Sequence, residues 1–102
     1  MRTQLKMPSW MKQQIRETVE VEGGTMTNYV LAAMRSFAHT APELPDESDA
    51  AIHIRNSEAG REIIELADSA AIARYGSARR ARNRVVRSAV AEALRKDTDD
   101  GR

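Results

Sequence analysis

The chain has 102 residues, 41% hydrophobic and 30% charged, which suits one small domain or two very small units sharing a core. Cysteine is absent, which excludes disulfides and thiolate metal sites and fits a reducing compartment. No apolar run reaches membrane-spanning length and no signal peptide is expected, so the expectation is a cytoplasmic protein with no membrane partner.

Net charge is only +1, but its distribution is uneven. Residues 1–40 hold five Arg/Lys against three Glu, and residues 51–96 hold ten against five acids. Residues 41–50 hold four acids and no base, and residues 97–102 hold three Asp and one Arg. Basic units and acidic connections fit a polyanion-binding surface, although charged helix faces also serve solubility alone.

The first element is a strand, Arg2-Thr3-Gln4-Leu5-Lys6-Met7. At period two, Thr3, Leu5 and Met7 share one face, and Arg2, Gln4 and Lys6 the other. Pro8 cannot donate a ladder hydrogen bond and ends the strand, and Ser9 offers an N-cap. One short strand needs a partner. Its polar face has heads able to reach base edges if a two-stranded ribbon enters a major groove.

A helix follows over 9–22, with Met11, Ile15, Thr18 and Val19 on one face and Glu22 as its polar edge. Gly23-Gly24 stops it, and Thr25 can cap the next helix. There Val30, Ala33, Met34 and Phe37 form an amphipathic stripe. Gln4-Leu5-Lys6-Met7-Pro8, the Gly23-Gly24 turn and the run from Thr25 to Phe37 resemble the ribbon-helix-helix superfamily of DNA-binding proteins, the family of the Arc and Met repressors. The resemblance covers roughly the first 38 residues.

Residues 40–50 hold two prolines and four acids and read as an extended, solvated linker. At about 3.3 Å per residue it can span well over 30 Å. Then the plan repeats. Ile52-His53-Ile54-Arg55 alternates like the first strand, and Asn56 or Ser57 can cap a helix. Ile63, Ile64, Leu66, Ala67, Ala70 and Ala71 give that helix its apolar face. Tyr75-Gly76-Ser77 is a stop and restart. Val86, Ala89, Val90 and Ala93 follow Val30, Ala33, Met34 and Phe37 at a constant offset of 56, whereas Arg55 follows Lys6 at 49. Seven extra residues are therefore expected within about 70–83. The competing reading is two generic amphipathic helix pairs.

The expected fold is mainly α: two tandem ribbon-helix-helix units sharing one core beneath a short two-stranded antiparallel ribbon. Its parts are 1–39, the linker 40–50, a second unit 51–96 and a disordered acidic tail 97–102. The resemblance implies that the outward strand residues read bases: Arg2, Gln4 and Lys6, and by the repeat His53 and Arg55, with Ala51 opposite Arg2 in the alignment. It also implies a phosphate seat at the N-terminus of the second helix, at Thr25, Met26 and Thr27. In the second unit this region holds Ser77, Arg79, Arg80, Arg82 and Arg84. Arginines at a positive helix end are unfavourable alone, and a phosphate reverses that sign.

His39 and His53 lack companions at ligand spacing, so no metal is expected, and no cofactor. Nothing resembles a catalytic constellation, so the expectation is not an enzyme. Trp10 reads as a lid over the core. The function expected is sequence-specific recognition of double-stranded DNA by a transcriptional repressor, with a dimer of pseudo-dimers open. The rivals are an antitoxin whose second half binds a toxin protein, and a plasmid relaxosome or partition accessory factor.

Overall fold

The computed structural model describes residues 2–42, 49–78 and 81–101. The protein is mainly helical, with one small antiparallel sheet. Its elements are β1 (Arg2–Met7), α1 (Ser9–Glu22), α2 (Met26–Phe37), β2 (Ala50–Arg55), α3 (Glu58–Tyr75) and α4 (Arg82–Gly101).

The alternation of β1 and β2 decides how they lie. Each buries one apolar face: Leu5 and Met7 at 0% exposure, Ile52 at 5% and Ile54 at 2%. They pair antiparallel, with Arg2 opposite Arg55, Gln4 opposite His53 and Lys6 opposite Ala51. The strands thus form a ribbon with an apolar underside and a polar outer face. Truncating one of these buried aliphatic side chains would cost about 2–5 kcal/mol.

Beneath the ribbon, α2 and α4 pack together, α3 rests on both, and α1 contacts α2, α4 and β2. The predicted faces line the core. Met11 and Ile15 of α1, and Val30, Ala33 and Met34 of α2, are buried. So are Ile63, Ala67, Ala70 and Ala71 of α3. Helix α4 is central, with every residue from Val85 to Val90 buried, including Arg87 and Ser88. Ser88 meets its polar demand locally, its hydroxyl donating to the Arg84 carbonyl at 2.9 Å.

The ends of the helices follow the capping chemistry of the sequence. Thr25 Oγ1 accepts from the Asn28 N–H at 3.1 Å, and Ser57 Oγ from the Gly60 N–H at 3.1 Å. Gly23 and Gly76 end α1 and α3 with φ of 87° and 81°, where a side chain would be strained. Ser9, expected as an N-cap, is instead the first residue of α1, and Pro8 stands at the cap with no side-chain acceptor. Asp49 supplies that acceptor from just before β2. Its carboxylate accepts from the Ser9 N–H at 2.7 Å and from the Ser9 hydroxyl at 3.0 Å. These two bonds, backbone first, hold its carboxyl below the usual carboxylate range.

The seven extra residues divide between two places. Helix α3 has 18 residues against 14 in α1. The turn from α3 to α4 occupies 76–81, and that from α1 to α2 only 23–25. Two expectations need correction. Trp10 is no lid, being 47% exposed. The acidic tail does not begin at Asp97, because α4 continues to Gly101 and Asp97 accepts the Tyr29 hydroxyl proton at 2.6 Å. That bond and burial raise the Tyr29 pKa, burial being the larger cause. The linker residues 43–48 lie outside the described residues.

Gly60 marks a close approach of α3 to β2. A Cβ there would stand 2.3 Å from the Arg55 carbonyl oxygen and 2.7 Å from Ile54 Cγ2. Gly60→Ala should therefore lower stability by about 1–3 kcal/mol although Ala favours helix, seen as a lower urea midpoint. Asp49 predicts an acid limb. A depressed folded pKa gives stability that is present above the ordinary aspartate pKa and lost as pH falls through the folded one. The melting temperatures of wild type and Asp49→Asn should differ near neutral pH, and the difference should shrink as pH falls below the ordinary aspartate range.

Candidate nucleic-acid interface

The outer face of the ribbon gathers the predicted base-reading residues. Gln4, Lys6, His53 and Arg55 are all exposed, and Ala51 is half-buried. Arg2 is placed by its backbone opposite Arg55. The central pair is Gln4 and His53, flanked by the cation Lys6 on one side and the cation Arg55 on the other. Alternation puts them here: each follows or precedes a buried apolar residue, so none can turn inward without a register slip that would expose Leu5 and Ile54.

The N-terminus of α2 is open at Thr25, which is exposed, while Met26 and Thr27 are half-buried. The Thr25 hydroxyl and carbonyl serve the helix itself, accepting from Asn28 and Tyr29. The second expected phosphate region divides. Ser77 is exposed just past Gly76, and Arg82 is the first residue of α4. Arg79 and Arg80 lie outside the described residues. Helix α4 thus begins 56 residues after α2, and Ala81 stands where α2 has its Thr25 cap.

The two described arginines of that first turn already have partners. Arg82 makes a two-pronged bond to the Asp68 carboxylate on α3, 2.8 Å at each contact, which raises the guanidinium pKa. The Arg84 guanidinium carbon lies 5.0 Å from the centroid of the Tyr75 ring, and that of Arg74 lies 5.6 Å from it. Arg74 also donates to the carbonyls of Ala38 and Ala41, at 3.2 and 2.6 Å, tying the end of α3 to the end of α2.

Sequence reasoning missed Asn83. Its Oδ1 accepts from the Lys6 backbone N–H at 3.1 Å, fixing the first turn of α4 beside the ribbon. An edge-strand N–H needs such an acceptor, and a short amide in a first helical turn is a signal for one. Asp68 was also missed. It reads as a surface acid of α3, and only the fold brings it to Arg82. No family model, curated protein or solved structure matches this chain.

The Arg82–Asp68 pair is about one-third exposed on each side. A double-mutant cycle of Arg82→Ala and Asp68→Ala, read by urea denaturation, should give a coupling of about 1 kcal/mol. Coupling near zero would return Arg82 to the set of arginines available to a ligand.

Proposed function

We propose that this protein is a tandem ribbon-helix-helix DNA-binding protein, a cytoplasmic transcriptional repressor whose β1–β2 ribbon enters the major groove. The observation that carries the reading is the register. An offset of 49 residues takes Arg2 to Ala51, Gln4 to His53 and Lys6 to Arg55. Applied to the ribbon, it exchanges the Arg2–Arg55 pair with the Lys6–Ala51 pair and returns the central Gln4–His53 pair to itself. Two copies of one strand about a two-fold axis have this relation. The helix starts agree: Ser9 and Glu58 differ by the same 49 residues.

The chemistry follows from the outer face. Arg or Lys donates to guanine O6 and N7, and Gln bonds adenine N6 and N7. Lys6, Arg55 and Gln4 are the groups able to do so, with Arg2 and His53 completing the set. The first turn of α4 lies beside the ribbon, held there by the Lys6–Asn83 bond, and free N–H groups at the starts of α2 and α4 would suit phosphate oxygens, which hold a protein in register. Ala51 stands where the first strand has Arg2, so the two strands read different bases and the operator is not palindromic.

Binding-site selection from random duplex DNA, followed by gel shift, tests the reading. Lys6→Ala and Arg55→Ala should each cost about 1–3 kcal/mol on the selected site and relax preference in one half-site. If both variants bind that site like wild type, or the chain selects nothing, the ribbon is not a DNA reader.

A further inference from the structure

Under the tandem reading, the two halves should bury equivalent positions alike, and at one end of the ribbon they do not. Where the first half has Met7, Met11 and Ile15, all at 0% exposure, the second has Asn56, Gly60 and Ile64. Asn56 is exposed, Gly60 has no side chain, and Ile64 is only half-buried. The result is a cleft of about 340 Å³ between the end of the ribbon and α3, within the range of small-molecule sites. Ile54 and Ile64 supply its apolar wall, Arg55 and Arg61 two cationic groups, and Glu65 one acid. A side chain at Gly60 is a strained way to fill it, because its Cβ would stand 2.3 Å from the Arg55 carbonyl oxygen.

We propose that this cleft binds a small organic carboxylate with a short branched apolar body. Among the described lining residues two arginines and one glutamate leave a single positive charge, which one carboxylate balances and a doubly charged phosphate exceeds. The apolar body lies against Ile54 and Ile64, giving up water-exposed surface. Arg55 belongs to both the cleft and the outer face of the ribbon. A ligand that engages its guanidinium removes it from DNA, so the ligand opposes operator binding. That last consequence rests on the proposed DNA reading, whereas occupancy of the cleft does not.

The test is a titration of the DNA-free protein with isocaproate to about 10 mM, followed by the methyl NMR signals of the isoleucines. Saturable shifts at Ile54 and Ile64, with Ile15 unmoved, are expected. Arg61→Ala should weaken binding at least about tenfold. Asn56→Met, which restores the residue type of the sealed half, should abolish it. Isoamylamine should not bind. The proposal is overturned if no isoleucine responds to isocaproate, if the amine binds equally, or if neither variant changes the titration. Gel shift on the selected operator separates the two readings. Cleft binding without any DNA binding retains this site and removes the repressor; DNA binding without a methyl response does the reverse. With both intact, isocaproate should weaken the operator complex of wild type and leave that of Asn56→Met unaffected.

Discussion

The fold depends on the pairing of β1 with β2. The sheet has these two strands, so each supplies the other's ladder partner. Apart, neither six-residue strand would persist in water. Together they close the top of the core with Leu5, Met7, Ile52 and Ile54 and turn Gln4, Lys6, His53 and Arg55 to solvent. The polar outer face is thus a by-product of burying the other one. Bringing together strands nearly fifty residues apart costs loop entropy that grows only slowly with length. Asp49 offsets some of it by binding Ser9 where the chain enters β2.

The second helix pair differs from the first in ways that follow from its extra length. The longer α3 and its longer turn bring Arg74 to the end of α2 and Tyr75 between Arg74 and Arg84. Asp68 meets Arg82 across the same turn. Charge that looked like a polyanion site in the sequence is therefore partly spent on holding α3, α4 and α2 together. At the centre of the ribbon face, Gln4 and His53 both stand exposed and make no such contact among the described residues.

Much of this architecture is legible in the residues. Period-two alternation located both strands and their inward faces, and the glycine stops and hydroxyl caps set the helix ends at Gly23, Thr25, Ser57 and Gly76. The offset 49 agrees with the α3 start, whereas the restart read at Ser77 lies five residues before α4 begins at Arg82. What escaped notice was long-range and polar. Asp49 capping α1, Asn83 bonding Lys6 and Asp68 pairing Arg82 join residues far apart in sequence, and local pattern holds no record of them. Arg87 is only 4% exposed, because α4 is buried without a break from Val85 to Val90 and periodicity marks only one face. Of the candidate site, the ribbon residues were readable through alternation, whereas the arginines near α4 depended on contacts between helices.

Carrying both strands on one polypeptide has a kinetic and dosage consequence. Ribbon assembly is first order, since each strand meets its mate at the effective concentration set by the connecting chain. A lone copy in a dilute cell is as completely folded as one in a crowded solution, whereas reciprocal two-chain ribbons dissociate on dilution. Where such a molecule acts as a single chain, its occupancy of a target below saturation would rise in proportion to its abundance, without the squared threshold that obligate pairing imposes.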